Sequence, residues 1–251
     1  MNEPRSITFD RIADRYDETR GGLLRGGDFA NAIAPRLSPG SRIVEPGVGT
    51  GAVALPLTER GFDVVGFDLA PAMLARAHHR LGHRVGLTDV QRLPVKTAGA
   101  DAAVTVWVLH VVASPEKLVG EIARILRPGG TWCAISADAV HEPDDIVPVK
   151  HELDIALGRF RDAPERVARW AAGAGLTLVE DTSTTPWVHE QSPEDLVRDI
   201  ESRVWSGCWD LTDERWEAIV VPAIDALLAL PEPARKRRRI AAHPLQVFEQ
   251  A

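Results

Sequence analysis

Cysteine is scarce in this chain: Cys133 and Cys208 are its two thiols in 251 residues. With no spacing pattern between them they argue against an oxidising compartment and for the cytoplasm. No apolar run approaches the ~18 residues that a membrane span needs. The opening stretch MNEPRSITFDRIADRYDETR carries acids throughout and lacks an apolar centre, so it does not read as a secretory signal. Positive charge is also short. Lys and Arg total 29 against 36 Asp and Glu, a net charge of −7, which argues against nucleic acid as the main partner. There is no internal repeat and no low-complexity tract. The hard ligands of HEPDD (141–145) have no second cluster to complete a site, so no metal is expected.

What remains is ordinary globular material, 45% hydrophobic and 26% charged, and long enough for one large domain with an appended subdomain. Phe9, Ile12, Ala13 and Tyr16 have helical spacing, and after the glycine-broken RGGLLRGGD a second helix is predicted from Asp28 to Leu37. A regular alternation follows. SRIVE, FDVVGFD, RVGLTD, ADAAVTVWVL and TWCAIS read as strands, separated by helices in GAVALPLTERG, APAMLARAHHRLG and PEKLVGEIARIL. This rhythm predicts right-handed βαβ units and an α/β fold built on a parallel sheet. The expected division is N-terminal helices over 1–39, a core over 40–185 with a polar insertion at 138–163, a helical lid over 186–234 and a terminal strand in 235–251. In the lid, Ser192 with Pro193 and Asp195 forms a capping-box-like start for a helix over Glu194–Trp205, and Thr212 caps another.

Gly47, Gly49 and Gly51 fall at the first strand–helix turn, where a parallel sheet binds ligands and where a missing Cβ lets backbone approach them. GVGTGA alone also satisfies a dinucleotide pattern. Three acids decide more: Glu45, Asp68 and Asp89 end the first, second and third strands. Asp68, 23 residues after Glu45, suits a ribose diol. Glu45 beside a pyrophosphate would be repelled, whereas a ligand with a cationic end and no phosphate would attract it.

The stretch RIVEPGVGTGAVALPLTERGFDVVGFDLAPAMLARA resembles the first two motifs of class I S-adenosylmethionine-dependent methyltransferases. LTDVQRLPV, ADAAVTVWVLHVV and EIARILRPGGTW resemble that family's later motifs in the right order, so the likeness spans roughly residues 40–136. FDRIADRYDETR upstream is family-like too. The resemblance implies an α/β, Rossmann-like, doubly wound sheet of seven mostly parallel strands with an antiparallel last strand and a helical lid insertion, and S-adenosyl-L-methionine as cofactor with S-adenosyl-L-homocysteine as product. It places the Gly47–Gly51 loop under the methionine moiety, Glu45 at its ammonium, Asp68 at the ribose and Leu69 and Met73 near the adenine. Asp89 and the Val90 amide would read the adenine edge, Trp107 would line the methionine side, and Tyr16 with Arg20 would close over the carboxylate. Ala70 departs from the Ser that relatives often carry, losing a helix cap of ~1 kcal/mol.

Methyl transfer is an in-line displacement, and a base is needed where the acceptor must shed a proton. His110 after the fourth strand and His141 in the insertion are the candidate catalytic residues, each with a structural alternative. Trp187, Trp205, Trp209 and Trp216 crowd the lid region, either as its core or as a pocket for an apolar small molecule, with Trp205 and Trp209 as the substrate-binding candidates. ARKRRR (234–239) reads as a solvated edge rather than an RNA patch. The expected activity is methyl transfer to an O or N atom of a small molecule, possible in bacterial secondary metabolism. Its alternatives are a non-catalytic or cyclase-like relative that keeps the cofactor, or an NAD-dependent oxidoreductase.

Overall fold

The computed structural model describes residues 9–158 and 161–251. The first eight residues of the expected N-terminal segment, and Arg159 and Phe160 of the insertion, lie outside the described residues. Among those described, ten strands run in chain order: β1 (Arg42–Pro46), β2 (Asp63–Asp68), β3 (Val85–Leu87), β4 (Ala100–Val106), β5 (Leu126–Ile135), β6 (Val140–His141), β7 (Leu176–Ser183), β8 (Trp187–Gln191), β9 (Arg237–Ala242) and β10 (Pro244–Gln250).

Seven of them form one sheet in the order β3-β2-β1-β4-β5-β10-β7. Pairing is parallel from β3 through β5, and β10 alone runs antiparallel, against both β5 and β7. Strand order reverses between β1 and β4, so the carboxyl ends of those two strands border the crevice where such sheets bind ligands. Alternation along each strand supplies two cores. Val44, Ala103, Trp132 and Phe248 enter one apolar cluster, while Ile43, Ala102, Val104, Cys133 and Val247 enter the other. A sheet buried on both faces needs apolar residues at consecutive positions, which is why the strands read as continuous hydrophobic runs.

The chain divides into two compact units, this one (1–137, 162–185 and 244–251) and a second (138–161 and 186–243). The second unit holds the small antiparallel sheet β6-β9-β8 and helices Ile146–Ala156, Pro193–Glu201 and Val221–Leu228. Ile146, Leu153, Leu196, Ile200, Val220 and Leu227 make its own apolar core. The capping box at Ser192 is present, the Ser192 hydroxyl accepting the Asp195 amide and the Asp195 carboxylate accepting the Ser192 amide. Thr212 likewise accepts the Arg215 amide.

Four local expectations are corrected. The second helix spans Gly22–Ile33 rather than starting at Asp28, because Gly26 is needed where that helix passes close to Ala52. The polar insertion contains helix Ile146–Ala156. Asp144 caps it by accepting the Ile146 and Val147 amides, and Pro148 sits harmlessly in its first turn. The terminal stretch is two strands in different sheets, divided at Pro244, the first residue of β10, where a missing amide costs no ladder bond. ARKRRR is not a solvated edge throughout. Strand alternation turns Arg237 and Arg239 inward, where they pair with Asp145 and Asp144.

Candidate functional site

β1 delivers Glu45 to the sheet's crevice, and the chain then turns through Gly47, Gly49 and Gly51, all at positive φ of 75°, 55° and 77°. A side chain on Gly47 would strike Val108 at 2.5 Å, whereas one on Gly49 would meet nothing nearer than the Met73 methyl at 3.5 Å. Gly47 is thus glycine for packing as well as conformation. At Gly49 it is the backbone conformation alone, one that side chains rarely adopt, that favours glycine.

The loop is held from β2. Asp68 accepts the Gly49 amide on one carboxylate oxygen at 2.8 Å and the Ala70 amide on the other at 2.9 Å. Asp10 adds a bond from the Ala72 amide at 2.8 Å. A carboxylate from the N-terminal segment therefore supplies the helix cap that Ala70 cannot. From that same segment, Asp17 accepts the Thr50 hydroxyl at 2.7 Å and pairs with Arg80, whose guanidinium also donates to the Thr50 carbonyl at 2.9 Å. Asp17 and Arg80 escaped sequence reasoning because nothing local marks a contact between residues 63 positions apart.

These elements border an open cleft. Of the expected residues, Tyr16, Arg20, Glu45, Gly47, Gly49 and Trp107 lie in its wall, joined by Arg25 and Phe29, which the sequence did not single out. Gly51 faces helix Pro71–Leu81 instead, and Asp68, Leu69, Met73, Asp89 and Val90 are outside the wall. Asp89 is exposed and accepts both the backbone and side-chain amides of Gln91. Val90 is buried.

Glu45 is 2% exposed, and its Oε2 has no hydrogen-bond partner. Burial and the nearby charge of Asp68 push its carboxyl well above the usual range. Asp68 is raised by burial too, partly offset by its backbone bonds. Burial also raises the Tyr16 phenol, with Arg20 opposing. Two crowded acids, both held above their usual range, form a site that favours a positively charged guest. Trp107 closes the far side in the left-handed region, φ 55°, an uncommon backbone for an aromatic residue. Its amide bonds the Ile135 carbonyl at 3.1 Å, and its ring meets Phe29 edge-on at 5.2 Å.

The remaining candidates are spread over both units. His110 follows β4, its Nδ1 3.7 Å from Asp162. His141 belongs to the second unit, beside Trp187 and His189. Burial, with Arg239 and Lys150 nearby, pushes its imidazole down to about 4. Trp209 is buried and donates to the Arg203 carbonyl at 2.7 Å. Trp205 packs on the second unit's core with the Lys150 ammonium 5.3 Å from its ring centre.

The site fits S-adenosylmethionine on the chain's own evidence: an orphaned buried carboxylate oxygen and a glycine cradle share one cleft. Comparison with known proteins agrees. Residues 44–134 match the family model of a methyltransferase domain. The chain is similar to a phosphatidylethanolamine N-methyltransferase of Cereibacter sphaeroides, 32% identical over 160 residues, covering 59% of this chain and 75% of that protein. It is also similar to a demethylmenaquinone methyltransferase of Thermus thermophilus, 38% identical over 135 residues, covering 49% of this chain and 60% of that one. The fold matches the crystal structure of the cyclase SpnF with a TM-score of 0.60 at 18% identity, covering 99% of this chain and 98% of that one. The chain belongs to the class I S-adenosylmethionine-dependent methyltransferase family, with S-adenosylmethionine as its cofactor.

Proposed function

We propose that this protein transfers a methyl group from S-adenosylmethionine to an oxygen or nitrogen atom of a small-molecule acceptor. The observation that carries the reading is Glu45, a buried carboxylate with an unpartnered oxygen in the wall of the glycine-loop cleft. It would hold the cofactor's ammonium, while the Gly47–Gly51 backbone runs under the methionine chain. Asp68 would take the ribose hydroxyls, with Leu69, Met73, Asp89 and Val90 serving the adenine. Tyr16, Arg20 and Trp107 would wall the methionine end. When bound, the sulfonium supplies an activated methyl group. The protein's share is to align the acceptor and exclude water.

Of the two histidines, His110 is the stronger base candidate, because an imidazole held near 4, as His141 is, accepts protons poorly at neutral pH. Acceptor specificity is assigned to the helical segment 186–234. Its Trp205 is the better substrate contact, since Trp209 is buried and its N–H is taken by the Arg203 carbonyl. The relatives' names cover an aminophospholipid and a quinone precursor, acceptors of unlike chemistry, so the fold does not choose between them. A role in bacterial secondary metabolism is part of this proposal.

Isothermal titration calorimetry tests the reading. Both S-adenosylmethionine and S-adenosylhomocysteine should bind, and NADH should not. Failure of both sulfur nucleotides to bind, or preferential binding of NADH, would overturn it.

A further inference from the structure

Beyond the carboxyl ends of β4 and β5, His110 meets a carboxylate that the cleft does not use. Asp162 is 1% exposed, and one of its oxygens, Oδ1, has no hydrogen-bond partner. The other accepts the Ala137 amide at 3.0 Å, and the Asp162 carbonyl accepts the Ser136 hydroxyl at 2.8 Å. Those two bonds pin the residue to the end of β5. β4 lies alongside, Val106 opposite Ile135, which brings His110 Nδ1 to 3.7 Å from Asp162 Oδ2. Burial works against the Asp162 charge, yet His110 and the Ala137 amide outweigh it and hold the carboxyl below its usual range. A desolvated carboxylate is costly unless a partner stands by it, and here that partner is the His110 imidazole.

We propose that Asp162 is the positioning residue for His110, fixing its Nδ1–H so that Nε2 is the unprotonated nitrogen and acts as the general base. The acceptor atom is then one that carries both a lone pair and a proton it must lose, as a hydroxyl or an amine does. This rests on the methyl-transfer reading above. As the acceptor's lone pair bonds to the methyl carbon, the carbon–sulfur electron pair stays on sulfur, which leaves as the neutral thioether. The acceptor's proton passes to His110 Nε2, and the imidazolium charge settles beside Asp162. The roles are those of a base and its orienting acid in hydrolytic triads, with the two groups here at ion-pair rather than hydrogen-bond distance.

The test is the tautomer of His110, read by long-range proton–nitrogen NMR on the ¹⁵N-labelled protein at alkaline pH and assigned with His110→Gln. Expected is a proton on Nδ1 in the wild type. Asp162→Ala should move it to Nε2, with circular dichroism reporting that the variant is folded. A wild-type proton on Nε2 overturns the proposal, whether or not the variant folds. A folded Asp162→Ala protein that keeps the Nδ1 proton also overturns it. Calorimetry with S-adenosylhomocysteine on the wild type separates the two readings: if it fails to bind while the tautomer is as expected, methyl transfer is wrong and the dyad stands.

Discussion

The Gly49 amide donates to Asp68 at 2.8 Å, so the acid expected at the ribose is also the fastener of the glycine loop. Asp68→Ala removes this bond and the one from Ala70 together. Charge-assisted hydrogen bonds contribute about 1.5–3 kcal/mol each, so S-adenosylhomocysteine affinity should fall at least ~10-fold by calorimetry. Asp68→Asn keeps an acceptor oxygen and should fall less. Equal affinity in wild type and Asp68→Ala would show that the loop keeps its shape unaided.

Glu45 trades stability for binding. Burial first, and then Asp68, raises its carboxyl in the folded state above the unfolded value of about 4.3. The folded protein therefore holds that proton longer than the unfolded chain. Its stabilising contribution is complete below pH ~4.3 and is lost as pH rises through the folded value. Glu45→Gln cannot ionise and escapes this loss. In thermal unfolding without ligand it should match wild type in acid and exceed it at neutral pH, while binding S-adenosylhomocysteine more weakly. A variant less stable than wild type at neutral pH would refute this account.

Two adjacent glycines of helix Gly22–Ile33 should respond oppositely to alanine. Intrinsic propensity favours Ala over Gly by about 1 kcal/mol in a helix interior. Gly27 has nothing within 4 Å of a built Cβ, so Gly27→Ala should stabilise by roughly that amount. At Gly26 the Cβ would sit 2.0 Å from the Ala52 carbonyl oxygen, which is backbone and cannot rotate aside. Gly26→Ala should destabilise by roughly 1–3 kcal/mol despite its better propensity, as denaturant midpoints would show. It should also distort the cleft, since Gly26 and Ala52 both line it.

That contrast marks where the sequence stops being legible. Continuous apolar strands separated by amphipathic helices announce a sheet covered on both faces, and the loop glycines and strand-end acids announce its ligand. Those signals are local, arising from period and from residue chemistry at an element's end. Gly26 against Ala52, Asp17 with Arg80, and Asp162 beside His110 depend on elements that converge only in three dimensions. The insertion's helix was obscured by its polar first turn and by Pro148, both normal at a helix start. The basic run misled because five consecutive residues of one charge look like surface, although a strand must turn every second one inward.

That alternation makes the last prediction sharp. Arg237 is 8% exposed and spends its guanidinium on Asp145, at 3.1 and 2.8 Å, and on the carbonyls of Pro231 and Glu232. Asp145 is exposed, so solvent screens the charge left behind, and the loss is mainly that of Arg237's own hydrogen bonds, about 1–3 kcal/mol. Arg237→Ala should therefore lower the thermal midpoint clearly and open the second unit to limited proteolysis. Arg237→Lys should not restore it, because an ammonium cannot span the carboxylate and the carbonyls as a planar fork does. Arg238, exposed on the opposite face of β9, should tolerate alanine within about 0.5 kcal/mol. Were the basic run a surface patch, all three variants would melt alike; a differential confined to Arg237 assigns the charge at that position to the fold.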